Sequence, residues 1–210
     1  MCESWNVSVS ADPFADTGLD VSRETYDQLV RFAELLKSWN QRINLVAPSS
    51  LPDLWDRHIL DSLAVPKASF EPSGLWADLG SGGGFPGVVA AIITPQRRFI
   101  LVESDQRKAT FLRTVRRELN LTYTVEAKRI ESLDPMAART ISARALAPLD
   151  TLLSLASRHG APESEYIFPK GETWEKEHLV ARESWTYDLD VRSTRGPGKI
   201  LRITGLQRKS

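Results

Sequence analysis

The segment Leu75-Trp76-Ala77-Asp78-Leu79-Gly80-Ser81-Gly82-Gly83-Gly84-Phe85-Pro86-Gly87 constrains this chain more than any other stretch. A short apolar strand carries an acid next to its end, a glycine turn follows, and an apolar helix opens behind it. Backbone N–H groups at such a corner, with the helix N-terminus behind them, form a cradle for a polar or anionic ligand. Glycine lets that ligand approach the backbone closely. A strand, a glycine turn and a helix in this order make the first corner of an alternating α/β fold.

The rest of the chain extends the alternation. Strands are expected at 75–79, 98–103, 123–127, 140–143 and 165–168, with helices at 86–94, 106–119 and 148–159 between them. A helix at 174–181 and strands at 185–191 and 199–204 complete the chain. Strands separated by helices of about a dozen residues imply right-handed crossovers and a mostly parallel sheet. The last two strands have no helix between them, which predicts an antiparallel edge. Ahead of this, Tyr26, Leu29, Val30, Ala33, Leu36 and Ile43 recur at helical spacing over 22–44, with Ser22 as N-cap and Glu24 in the first turn. Ser50-Leu51-Pro52-Asp53 announces a second helix that Pro66 is expected to end near residue 65. The organisation read from these signals is a loosely ordered 1–20, a helical N-terminal unit at 21–72, a Rossmann-like domain at 73–205 and a short tail at 206–210.

Composition bounds the setting. Hydrophobic residues at 41% and charged residues at 26% are globular proportions. Balanced charge, 27 basic against 27 acidic residues, argues against a chain that coats nucleic acid over its whole surface, though not against a basic face. The single cysteine, Cys2, fits a reducing cytoplasm, and the first residues lack the pattern of a signal peptide. The apolar run 88–93 is far short of the ~18 residues that span a bilayer. The expectation is a cytoplasmic protein that does not cross the membrane.

Two ligand classes compete for the glycine turn. Gly82-Gly83-Gly84-Phe85-Pro86-Gly87 formally matches the dinucleotide fingerprint G-x-G-x-x-G, which would make the chain a nicotinamide-dependent oxidoreductase. The match is badly placed, because Gly80 and Ser81 already lie beyond the strand and Pro86 stands where the helix should offer an N–H. The other reading uses the whole segment: D-x-G-x-G from Asp78 to Gly82 resembles the methyltransferase signature, whose loop lies under the methionine part of S-adenosylmethionine. That cofactor has no pyrophosphate, so a cradle less directed at an anion suits it. Glu103, ending the second strand, is placed to accept hydrogen bonds from both ribose hydroxyls in either case. Asp78, Gly80, Gly82 and Glu103 are the candidates from this segment.

Further motifs carry a resemblance to one family. Trp39-Asn40 and Asn44-Leu45 stand in the first helical region, and Arg57-His58-Ile59-Leu60-Asp61-Ser62-Leu63 in the second. The glycine segment follows, then Glu103-Ser104, Arg107-Lys108, Phe111-Leu112, Ala143-Arg144-Ala145 and Lys170-Gly171. In this order and spacing the chain resembles the RsmG (GidB) family of 16S ribosomal RNA guanine-N7 methyltransferases, from about Leu29 to Ile203. The resemblance implies a class I methyltransferase fold and S-adenosyl-L-methionine as cofactor. It implies that Gly80 and Phe85 contact the cofactor, that Ile130 and Glu131 lie against its adenine, and that Arg144 sits where cofactor and target base meet. The implied substrate is 16S rRNA at a guanine in the helix 18 loop, within the 30S subunit or an assembly intermediate. Two departures are small: Asn44-Leu45-Val46 replaces the usual N-L-T, and Gly83 replaces alanine or proline.

The implied chemistry accounts for motifs the chain lacks. Guanine N7 carries a lone pair and no proton, so its methylation needs alignment and no general base. No catalytic Asp-Pro-Pro-Tyr or paired-cysteine motif occurs, and no catalytic residue of that kind is expected. The three histidines have no metal-ligand companions, so no metal is expected. Arg107, Lys108, Arg113, Arg116 and Arg117 begin just beyond Glu103, which makes them candidates for a phosphate-binding surface rather than a merely solvated face. Lys170 follows a strand and is a further candidate for an RNA phosphate. His58 and Asp61, three apart on one helix, read as a local pair or as part of the site, and the motif leaves the choice open.

Overall fold

The computed structural model describes residues 21–209, so the expectations for 1–20, Cys2 among them, and for Ser210 lie outside the described residues. Helix α1 (Arg23–Asn40) opens where the sequence places it: Ser22 Oγ accepts from Thr25 N at 3.2 Å, and Glu24 stands in the first turn. Its inward stripe buries Leu29, Phe32 and Leu36 completely. Each such side chain contributes roughly 1.5–3 kcal/mol on leaving water.

The second helical region differs from expectation. A 3₁₀ turn spans Pro48–Ser50, a π-helical turn spans Trp55–Leu60, and α2 (Asp61–Ala68) continues it with Pro66 inside. Ser50 does not cap a helix, because its hydroxyl donates to Ala47 O at 2.8 Å and meets His58 Nε2 at 2.9 Å. Pro66 fails to end the helix at residue 65 because Val65 and Ala68 are both fully buried. One lost N–H in a last turn costs less than exposing that face.

The remaining elements build one sheet with helices on both sides. They are β1 (Leu75–Leu79), α3 (Gly87–Ile93), β2 (Arg98–Val102), α4 (Gln106–Glu118), β3 (Thr124–Glu126), β4 (Ala138–Ser142) and α5 (Leu149–Ser157), then β5 (Gly160–Lys170), α6 (Trp174–Ser184), β6 (Trp185–Ser193) and β7 (Lys199–Arg208). The strand order is β3-β2-β1-β4-β5-β7-β6. The first five strands are parallel, and β7 runs antiparallel between β5 and β6, which is the expected edge. This is the expected α/β, Rossmann-like sheet with an antiparallel edge and an added helical N-terminal segment. Strand β5 runs past the expected 165–168 at both ends, and its pairing shifts register between Ala138 and Thr140 of β4. Pro169, near the end of the strand, keeps its place opposite Ile200 of β7.

Alternating residues of β1 feed two cores. Trp76 faces the helices α1 to α4, while Ala77 and Leu79 face α5 and α6. The N-terminal helices share their core with α3 and α4, so Phe32 packs on both Phe85 (5.3 Å) and Phe111 (6.5 Å). The topological reversal falls between β1 and β4, and a crevice at the carboxyl ends of those strands is where such sheets receive ligands.

Candidate active site

Asp78 is paired in register with Leu101 of β2 and Ser142 of β4, and it is 0% exposed. Its Oδ1 accepts from Ser142 Oγ at 2.6 Å and its Oδ2 from Gly87 N at 3.2 Å. Trp76 Nε1 in turn donates to Ser142 Oγ at 2.9 Å. Burial raises the Asp78 pKa to about 6, against the pull of these donors and of Arg144. The expectation that Asp78 contacts the cofactor is therefore corrected: it lies behind the loop and ties the start of α3 to the sheet. Gly87 must be glycine for that tie, since a Cβ there would stand 2.5 Å from Asp78 Oδ2 and 2.4 Å from Leu101.

The loop folds forward from this anchor. Ser81 N donates to Val102 O (3.0 Å) and Gly84 N to Ser81 O (2.7 Å). Gly82 holds φ +52°, in the left-handed region that favours glycine, and a Cβ there would make only ordinary contacts, 3.7 Å from Gly80 O and 4.0 Å from Glu103 Oε2. Glu103 Oε2 accepts from Gly82 N at 2.9 Å and Oε1 from Asp105 N at 2.8 Å, which fixes the carboxylate without using all its lone pairs. The later glycines of the formal dinucleotide fingerprint turn inward, Gly84 toward Val88 and Phe32 and Gly87 toward Asp78. They do not line the cleft, and the oxidoreductase reading loses its one support.

A cleft of about 410 Å³ opens in front of the loop. Gly80, Gly82, Phe85, Glu103, Ile130, Glu131 and Arg144 all line it. Of the basic cluster only Lys108 reaches this wall, and Lys128 and Arg129, which the sequence reading passed over, stand opposite. Arg107 is exposed and paired to Asp105 at 3.0 Å, the residue that caps α4. Arg113, Arg116 and Arg117 lie farther along the exposed side of α4, where Arg117 meets Glu118 at 3.0 Å and Arg116 donates to Tyr123 O at 3.3 Å. The helix thus divides the cluster between cleft and flank.

Arg144 follows β4 and leaves the sheet toward Phe85, with its guanidinium carbon 4.8 Å from the ring centroid. His58 stacks on the same ring at 5.2 Å and meets Arg144 Nη2 through Nδ1 at 2.9 Å. Because the Ser50 hydroxyl already donates to Ala47 O, His58 Nε2 must donate to Ser50, which leaves Nδ1 as the acceptor for Arg144. Burial, then Arg144 and Arg57, lowers the His58 pKa to about 4, so the imidazole is neutral at pH 7. Burial lowers the Arg144 pKa to about 10 despite Asp61 and Asp78, and the guanidinium stays charged. His58 is therefore tied to Ser50 and Arg144 rather than to Asp61.

A second cleft, about 740 Å³, lies on the other side of Arg144. Arg144, Ala145 and Leu146 form a wall common to both clefts. Asp56, Arg57, Asp61 and Arg195 line the second cleft. Lys170 also borders it, but its side chain is 9% exposed, and its ammonium meets Glu177 at 2.6 Å and donates to Ala147 O at 2.8 Å. The expectation of an open phosphate ligand at Lys170 is corrected by this pairing. Among the described residues no group of three or more His, Cys, Asp or Glu is arranged to hold a metal, and no helix is long and apolar enough to cross a membrane.

Known proteins are similar to this chain in sequence and in fold. The GidB family, described as rRNA small subunit methyltransferase G, matches residues 25–197. A ribosomal RNA small subunit methyltransferase G from Ruegeria sp. (strain TM1040) is 49% identical over 196 residues, which is 90% of this chain and 95% of that protein. One of the same name from Cereibacter sphaeroides (strain ATCC 17025) is 50% identical over 177 residues, 82% of this chain and 85% of that protein. Among solved structures, a methyltransferase from Pyrococcus furiosus superposes with a TM-score of 0.59 at 13% identity, covering 85% of this chain and 97% of that one. At that identity the likeness is one of fold.

Proposed function

Because the chain belongs to the GidB family of rRNA small subunit methyltransferases, we propose that it methylates N7 of a guanine in the helix 18 loop of 16S rRNA. As a member it is an S-adenosylmethionine-dependent rRNA methyltransferase. The finer reading is supported by one observation above all: the described residues in the wall common to both clefts are Arg144, a charged donor, with Ala145 and Leu146, and none of these three side chains can take a proton. The nearest imidazole has its lone pair engaged by Arg144, and Asp78 is sealed in the sheet. An exocyclic amine or a hydroxyl would need a base at that wall, whereas guanine N7 needs only alignment.

The first cleft fits the cofactor in size and in chemistry. Its volume lies within the range of small-molecule sites, about 300–1,000 Å³. In this reading Glu103 accepts the ribose hydroxyls, Ile130 and Glu131 border the adenine, and Gly80, Gly82 and Phe85 lie under the methionine part. The cofactor supplies the sulfonium methyl group that an in-line displacement transfers. Arg144, fixed by His58 and Phe85, orients ligands on either side of the wall. Lys108, Lys128 and Arg129 at the cleft rim, with Arg113, Arg116 and Arg117 on the flank of α4, receive RNA phosphates. The partner is 16S rRNA in the 30S subunit or an assembly intermediate, and the compartment this reading assigns is the cytoplasm.

Mapping N7-methylguanine in 16S rRNA from cells with and without the protein tests the proposal. One N7-methylguanine in the helix 18 loop should vanish without the protein and return when purified enzyme and cofactor are added to the unmethylated subunits. A methyl group found on any other atom would refute the N7 assignment.

A further inference from the structure

With the cofactor assigned to the first cleft, as proposed above, the second cleft is left without an occupant and shares the wall of Arg144, Ala145 and Leu146 with it. A base seated there with its N7 toward the shared wall turns its Watson–Crick edge toward an adjoining wall of the cleft. For guanine that edge carries N1–H and the exocyclic amine, two parallel donors that call for an acceptor. Among the described residues three carboxylates line the cleft: Asp56, Asp61 and Glu177. Glu177 is committed, since it takes Lys170 at 2.6 Å, Leu149 N at 2.9 Å and the Thr173 hydroxyl at 3.3 Å. Asp56 is exposed to solvent.

Asp61 is different. It is half-buried at the start of α2, in the field of Arg144, Arg195 and Arg57, and among the described residues no side-chain hydrogen bond ends on its carboxylate. Burial raises its pKa while the three guanidiniums oppose that rise. A half-buried carboxylate with open lone pairs, facing a cleft, is a poor structural device, because its desolvation is not offset by hydrogen bonds. It suits a ligand that brings donors.

Resting on the guanine reading above, we propose that the second cleft receives the acceptor nucleotide and that Asp61 reads its Watson–Crick edge through N1–H and the exocyclic amine. Asp61 is then the residue that selects guanine over adenine. Adenine presents a lone pair at N1, which a carboxylate repels, so the same group that favours one purine opposes the other. The flipped or looped-out base is read on one edge while the other faces the methyl donor, as enzymes that act on single bases require.

The test compares 30S subunits reconstituted on ligated 16S rRNA carrying guanosine or inosine at the accepting position. Inosine keeps N7, O6 and N1–H and lacks only the exocyclic amine. Wild-type enzyme should methylate the inosine subunit about 10- to 100-fold less efficiently in single turnover, the range for loss of a specific base contact. Asp61→Asn should lose a similar factor on guanosine and bring the guanosine-to-inosine ratio close to one, with cofactor affinity by calorimetry as its folding control. A wild-type enzyme indifferent to the amine, or an Asp61→Asn enzyme that keeps the wild-type ratio, would overturn the assignment. The wild-type comparison decides even if the variant does not fold. Mapping the methyl group in the guanosine product separates the two readings: methylation elsewhere than guanine N7 sinks both, and N7 methylation with an unmoved ratio sinks Asp61 alone.

Discussion

The loops after β1 and after β4 border the same cleft by opposite means. The first works with backbone: glycine conformations and N–H groups held by carboxylates at Asp78 and Glu103. The second works with one side chain, Arg144, whose position is set by His58, 86 residues earlier in the chain, and through it by Ser50. A backbone site is built by its own neighbours and survives most changes elsewhere. A side-chain site depends on a chain of contacts that crosses the N-terminal helical segment, so remote substitutions reach it.

This contrast can be broken at either loop. The largest effect is expected at the backbone site: Gly80→Arg should abolish cofactor binding by calorimetry, because φ is +67° and a Cβ would stand 2.7 Å from Leu146. Retained affinity would remove the loop from the site. Arg144→Ala should slow single-turnover methylation about 100-fold, the scale of lost alignment, and the defect should not change between about pH 6 and 9, where no base is titrating. A limb in that window would restore a general base to the mechanism. Glu103→Ala should weaken the cofactor by about 1–3 kcal/mol, the range for a lost charged acceptor, without altering the fold as seen by circular dichroism.

The smaller effects sharpen the side-chain half. His58 has a folded pKa of about 4, below its ordinary 6.5, so protons favour the unfolded chain. The stability it contributes is full above about pH 6.5 and declines as pH falls toward 4. Asn at position 58 retains an acceptor for Arg144 and does not titrate, so denaturant midpoints of His58→Asn should fall less steeply over that window than those of wild type. Equal slopes would mean that another group governs the acid limb. Smallest is the flank: charge reversal at Arg113, Arg116 and Arg117 should flatten the salt dependence of RNA binding and leave cofactor affinity alone.

What could be read in the sequence follows the same division. The β1 corner, the parallel order of strands and the antiparallel edge were legible because local pattern determines them. Asp78 was misread because an acid at a strand end has the same local signature whether it faces a cleft or a partner strand. Only Ser142, 64 residues away, decides the matter. Lys170 was misread for the same reason, its partner Glu177 lying on the next helix. His58 stood in a motif whose role stayed open, since stacking on Phe85 and bonding to Arg144 are visible only after folding. Pro66 carried a strong local signal that burial of Val65 and Ala68 overrode.

A single guanidinium standing between two chambers has a thermodynamic consequence. Whatever a ligand on one side does to the orientation or charge environment of Arg144 alters the affinity of a ligand on the other. By reciprocity, the second ligand changes the first by the same factor. If methyl donor and RNA occupy the two clefts as proposed, they are effectors of each other, and each shows one dissociation constant with its neighbour empty and another with it filled.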